Sequence, residues 1–167
     1  MGVIERLRVT PVSRVALLFG RALRDMFSIV LQSLILILIA LPFGLSIHPV
    51  GIVVVLALIG LIGLLTASIG YAVALAVKSE DSYAPIVFTS ALPILLLSGV
   101  LLPMSIAPQW LQNIAHLNPL LYAVDAARSI FNDQLADPSV GEGVLILAVL
   151  SAIAVVIGAR QFGRAVS

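Results

Sequence analysis

From Val50 to Val77 the chain runs without one charged side chain, and this stretch limits the fold more than any other feature. The hydrocarbon core of a bilayer is about 30 Å thick and takes roughly 20 apolar residues of helix to cross. Only a helix or a closed barrel satisfies its own backbone polar groups there, because no water reaches them. The composition agrees. Soluble domains carry about 25% charged residues to solvate a surface, whereas these 167 residues are 10% charged and 61% hydrophobic, with mean hydropathy +1.20. Such a chain cannot coat itself with polar groups, so it is an integral membrane protein.

Three further segments have the length and apolarity of a span. One runs from about Met26 to Ile47, after an approach bearing Arg21, Arg24 and Asp25. Another lies between Ala84 and Leu102, with Pro85, Pro93 and Pro103 at its start, middle and end. The last runs from about Val140 to Ala159, with Glu142 at its mouth. Pro93 frees a backbone carbonyl and is expected to kink its helix. The first span does not read as a cleaved signal peptide: its apolar run is too long and no small-x-small site follows.

Lys and Arg accumulate on the cytoplasmic side of a membrane. Arg6, Arg8, Arg14, Arg21 and Arg24 precede the first span, Lys78 follows the second, and Arg160 and Arg164 follow the fourth. Only Arg128 falls on the other side. Both termini are therefore expected in the cytoplasm and the 104–133 segment outside. Net charge is +1 and the basic residues form no patch, so nothing points to nucleic acid. One Lys against eight Arg points to a GC-rich bacterial genome.

Two amphipathic stretches interrupt the hydrocarbon. At the N-terminus Val3, Ile4 and Leu7 share one helical face and Glu5, Arg6 and Arg8 the other. Thr10-Pro11 stops that helix, and Ser13 can cap the next. From periodicity this is an interfacial anchor or a docking element. In the second stretch Gln109, Gln112, Asn113 and His116 follow the i, i+3, i+4, i+7 spacing of one face, opposite Trp110, Leu111, Ile114 and Leu117. Pro108 opens that helix, and Asn118-Pro119 opens another as N-cap and first residue. The second helix has Leu120, Leu121, Val124 and Phe131 as its apolar side, and Asp125 and Arg128 can pair at i, i+3. Trp110 and Tyr122 are residue types of the headgroup level. Within the second span, Gly63, Ala67, Gly70 and Ala74 form a small-residue ridge suited to close helix packing.

Chemistry is sparse. There is no Cys, hence no disulfide or thiolate site. No P-loop, H-E-x-x-H or G-x-S-x-G pattern occurs. No ionisable residue lies mid-span, where ion-coupled carriers place theirs. No catalytic, cofactor-binding or metal-binding residue is expected, and any transport must draw its energy from another chain.

Two segments, in order, resemble the ABC type 2 permeases, most of all the daunorubicin/doxorubicin-resistance branch of bacterial exporters. "IERLRVTPVSR" matches that family's cytoplasmic coupling helix at Ile4, Glu5, Arg6, Leu7, Thr10, Pro11, Val12, Ser13 and Arg14. "PMSIAPQWLQNIAHLNPLLYAVDAAR" matches its external signature at Pro103, Pro108, Trp110, Leu111, Gln112, Asn118, Pro119, Leu120, Tyr122 and Arg128. The resemblance implies an all-α protein of four transmembrane helices, N-in and C-in, with a coupling segment over 1–14, a transmembrane domain over 15–167 and an external re-entrant helix pair over 104–133. It implies a permease subunit of an ATP-driven exporter of drugs, antibiotics or other amphiphiles in a bacterial plasma membrane. The partners would be a separate ABC ATPase carrying ATP and Mg, and a second permease chain in a homo- or heterodimer. Val3, Ile4 and Leu7 would touch the ATPase through apolar contacts and Glu5, Arg6 and Arg8 through polar ones. Family members have six membrane helices, so the first two are expected to be missing: a misassigned start at Met1, a truncation, or a part carried on another polypeptide. Export of lipid, polysaccharide or peptide, an assembly role, a carrier or channel, and an inert remnant are the other readings.

Overall fold

The computed structural model describes residues 14–45, 47–77 and 79–164. The expected coupling residues Val3, Ile4, Glu5, Arg6, Leu7, Arg8, Thr10 and Pro11 lie outside the described residues, as do Ser13 and Lys78. Arg14 is described in its backbone alone. Every regular element among the described residues is helical.

Helix α1 spans Arg14–Ala40. Nothing between Arg14 and Met26 breaks a helix, since the stretch holds no Pro and a single Gly. The arginine-bearing approach and the span are therefore one rod of about 40 Å at 1.5 Å per residue. Its end comes before Ile47, because Pro42 has no N–H for the ladder. A 3₁₀ turn covers Leu41–Phe43, and Gly44 closes it at φ +97° with its N–H on the Leu41 carbonyl at 3.2 Å. A side chain is poorly tolerated at that backbone angle.

Helix α2, Pro49–Val77, is the centre of the bundle. Lipid tails are as apolar as leucine, so helices associate in a bilayer by close packing and interhelical hydrogen bonds. Against α1, a Cβ on Gly63 would sit 3.4 Å from the Met26 Cα, and one on Gly60 3.4 Å from Val30. Against the last helix, α6 (Pro138–Arg164), the buried side chains Leu58, Leu65 and Leu147 fill the interface. The Ser151 hydroxyl donates to the Leu61 carbonyl at 2.9 Å across it. The two helices run in the same direction, with Ser151 beside Leu61 and Gly158 beside Ser68.

Between them comes α3, Glu80–Leu97. It starts earlier than Ala84, at Ser79-Glu80-Asp81, where acidic residues favour a helix N-terminus. It stops at Leu97 rather than Leu102, and Pro85 and Pro93 both lie inside it. Three helical segments, Gly20–Phe43, Pro49–Ala74 and Pro138–Gly158, are long and apolar enough to cross a membrane. The apolar part of α3, Asp81–Leu97, is shorter. A turn at Ser98-Gly99 and a 3₁₀ turn at Met104–Ile106 follow it.

Two short helices complete the fold, α4 (Gln109–Ala115) and α5 (Pro119–Phe131). They form a hairpin at the end of the bundle where α1 meets α2. The described arginines of α1 and α6 gather at the opposite end, Arg14, Arg21 and Arg24 with Arg160 and Arg164. Of the described arginines, Arg128 alone sits at the hairpin end.

Candidate functional site at the helical hairpin

Each helix of the hairpin starts on a residue that needs no ladder donor. Pro108 precedes α4, and its carbonyl takes the N–H groups of Leu111 and Gln112 at 2.9 and 3.1 Å. The Gln112 amide donates to the Ala107 carbonyl at 2.8 Å, tying the helix to its lead-in. Asn118 precedes Pro119 as N-cap of α5, its Oδ1 accepting from Leu120 N–H at 3.1 Å.

The same Asn118 has a second partner that its sequence position does not announce. Its Nδ2 donates to the Ile94 carbonyl of α3 at 2.7 Å. In an unbroken helix that carbonyl would face the Ser98 N–H, which here turns to Leu95 at 3.3 Å. The Ser98 hydroxyl also bonds the Leu95 carbonyl, at 2.6 Å. Beyond it Gly99 adopts φ +77°, where a Cβ would press on Leu121 at 3.4 Å. Arg128 donates to the Gly99 carbonyl, with Asp125 3.8 Å from its other nitrogen. One amide and one guanidinium of α5 thus cap the end of α3.

On α5 the buried residues are Leu121, Ala123, Ala126 and Ile130. Of the expected apolar side only Leu121 is among them, and Phe131 is exposed. Ala126 matters because α6 presses there. A Cβ on Gly143 would stand 2.8 Å from both the Ala126 Cβ and the Tyr122 carbonyl oxygen. Ser129 and Ser139 share a hydroxyl hydrogen bond at 2.9 Å, and a Cβ on Gly51 of α2 would meet Ile130 at 2.9 Å. Asp137-Pro138 repeats the Asn118-Pro119 signal, with the Asp137 carboxylate accepting from Ser139 N–H at 2.8 Å. Those bonds lower its pKa from the usual aspartate value.

The rest of the external signature lines the rim. Pro103 and Pro108 are exposed and Leu111 is half-buried. Trp110 is 64% and Leu117 84% exposed, so the apolar face of α4 is open. The Tyr122 hydroxyl donates to the His116 carbonyl at 3.1 Å, and the two rings lie 6.1 Å apart. Burial raises the Asp125 pKa, opposed by the nearby Arg128 and His116. His48 contacts Asp133 at 2.9 Å and links the start of α2 to the end of the hairpin.

The small-residue ridge of α2 divides its contacts. Gly63 receives α1, Gly70 lies 3.3 Å (at the Cβ position) from the Tyr83 hydroxyl of α3, Ala67 is half-buried and Ala74 is exposed. Between α1, α2 and α3 runs a groove of about 310 Å³ that includes Asp25, Thr66, Gly70, Tyr71 and Tyr83. The Tyr71 hydroxyl donates to Asp25 there at 2.5 Å. Thr66, Gly70 and Tyr83 also line a larger apolar groove of about 770 Å³ between α2 and α3, with Leu120 of α5 among its lining residues. Among the described residues no three acidic or imidazole groups converge as a metal site would require.

The model of the ABC-2 type transporter family matches residues 1–132, taking in the N-terminal segment, α1 to α4 and nearly all the hairpin. The chain is 30% identical over 135 residues to the protein named "Putative transport permease ycf38" of Cyanophora paradoxa, covering 78% of this chain and 46% of that one. It is 28% identical over 136 residues to the protein of the same name from Porphyra purpurea, covering 79% and 46%. The chain thus spans about half the length of the curated relatives it matches. No solved structure matches.

Proposed function

The chain belongs to the ABC-2 type transporter family, and from that premise we propose that it is the membrane-spanning permease subunit of an ATP-driven exporter. The observation that carries this reading is the family match itself, which joins the N-terminal amphipathic segment to the hairpin in one pattern. ATP hydrolysis resides on a separate ABC ATPase, and a second permease chain faces this one as a homo- or heterodimer. The spans supply no ionisable group near mid-membrane for ion coupling, which supports an energy source outside the chain.

Charge bias supports an orientation for the chain in the membrane. With the described arginines of α1 and α6 at one end and Arg128 alone at the other, the arginine end faces the cytoplasm and the hairpin faces outward. The membrane is the plasma membrane of a bacterium. The cargo is a drug, antibiotic or similar amphiphile. The apolar groove between α2 and α3 supports this, since it opens beside the half-polar groove of Asp25, Tyr71 and Tyr83. An acyl chain fits such a groove as readily, which makes lipid export the second reading.

Residues 2–14 dock on the ATPase, with Val3, Ile4 and Leu7 as the apolar contact. The test is co-purification with the host's ABC ATPase after Leu7→Asp or Pro11→Ala. Loss of the complex with retained membrane insertion is the expected result. Undiminished complex formation and transport would overturn the docking.

A further inference from the structure

Helix α1 carries a single acid. In its 27 residues the one carboxylate is Asp25, which lies inside the apolar segment Gly20–Phe43. Ionisable groups within a membrane span are costly, and they persist where a partner and a task hold them. The neighbouring Arg21 and Arg24 are exposed, whereas Asp25 is half-buried and reaches toward α2. There the Tyr71 hydroxyl donates to its carboxylate at 2.5 Å. Among the described residues this is the one hydrogen bond that joins the side chains of two of the long helices α1, α2, α3 and α6.

Close packing of α1 on α2 does not require this pair. One residue along from Asp25, Met26 closes on Gly63, with 3.4 Å between its Cα and the position of a Gly63 Cβ. Val30 closes on the Cβ position of Gly60 at the same distance. Apolar contact of this kind is non-directional, and helices held by it slide past one another in small shear motions. A hydrogen bond adds direction, since it weakens steeply as its angle departs from linearity. Asp25 and Tyr71 therefore fix the register of α1 along α2, which the glycine contacts leave free to shear.

The bond sits in a continuous chain of rigid parts. On one side α1 runs unbroken to Arg14, immediately after the N-terminal amphipathic segment. On the other side α2 is tied to α6 by the Ser151 hydroxyl on the Leu61 carbonyl and by Gly158 against Ser68. Coupling between distant sites is carried by rigid elements joined through packed side chains and hydrogen bonds. We propose that Asp25 and Tyr71 are the positioning pair that passes a displacement of the N-terminal segment from α1 into the central helix α2. The proposal rests on the transport reading, in which residues 2–14 receive the stroke of the ATPase. With the bond in place, a push on the Arg14 end of α1 carries α2 and, through it, α6. Without the bond α1 shears along the glycines, and the stroke is lost between the two helices.

The test uses the chain and the host's ABC ATPase together in proteoliposomes, with ATP hydrolysis and uptake of a fluorescent amphiphile read in the same vesicles. Tyr71→Phe keeps the ring and deletes the donor. Complex formation and ATP hydrolysis should persist while maximal uptake per ATP falls roughly fivefold, at an unchanged half-saturating amphiphile concentration. Asp25→Asn keeps an acceptor oxygen and should transport as the wild type does. Asp25→Ala should match Tyr71→Phe, and decides the matter alone if that variant does not fold. The double variant should be no worse than either single one, because all three lose the same bond. Undiminished uptake per ATP in folded Tyr71→Phe would overturn the proposal. So would a raised half-saturating concentration with the maximum retained, which marks a contact with cargo. A parallel loss of complex, hydrolysis and uptake in both single variants would overturn it as well, as the mark of a pair that only holds the fold. Wild-type vesicles without ATP-dependent uptake would instead refute the transport reading, and this use of the pair with it.

Discussion

Asp125 and Asp137 are both hairpin-end carboxylates, and their surroundings push them in opposite directions. Burial raises the Asp125 pKa above 3.8, against the pull of Arg128 and His116. A raised folded-state value means the ionised form is the disfavoured one in the fold. Stability therefore grows as pH falls through the raised value, and that gain is absent at neutral pH. The Ser139 hydrogen bonds lower the Asp137 pKa below 3.8. Its contribution is complete above the unfolded value and is lost only as pH drops through the lower folded one. Asp125→Asn should accordingly hold or raise the Tm in detergent at neutral pH. Asp137→Ala should lower it, with the difference shrinking as pH falls below 3.8 and vanishing only below the lowered folded-state value. A matching loss in both variants would show that Asp125 acts chiefly as the partner of Arg128.

Within the elements, stability comes from close approach more than from interhelical hydrogen bonds. Gly143→Ala places a methyl 2.8 Å from a backbone oxygen, which cannot yield as a flexible side chain does. Overpacking of this kind costs about 1–3 kcal/mol. Ser151→Ala removes the single described hydroxyl bond between α6 and α2, and such bonds in bilayers average about 0.6 kcal/mol. Denaturation in mixed micelles should rank Gly143→Ala well above Ser151→Ala, and the reverse order would put the weight on polar contacts. The contrast also shows what the sequence discloses. Hydropathy located the apolar segments, and Asn118-Pro119 announced the break in the hairpin, because both signals are local. Gly143 carries no local mark that distinguishes it from Gly141, where a Cβ would meet nothing. The ridge from Gly63 to Ala74 reads as one stripe, yet its residues face two helices and open space. Asn118 was legible as a cap, while its bond to Ile94 depends on where α3 stops. That stop lies at Ser98-Gly99, short of the run of leucines that hydropathy follows to Leu102.

At the scale of the molecule, the parts assign themselves to two ends of one bundle. The arginine end carries the helix termini nearest the N-terminal segment, and the hairpin end carries the polar bonds that hold α3. A permease needs an end that receives force and an end that governs exit, and the open groove between α2 and α3 lies between them. The central claim is that this chain moves an amphiphile with energy taken from a partner ATPase. Flux of a fluorescent amphiphile into proteoliposomes holding the chain and the host's ABC ATPase tests it most directly. The account predicts uptake that requires ATP and falls to the protein-free level with Leu7→Asp. Uptake that proceeds without ATP and collapses when an ionophore dissipates the ion gradient would contradict it.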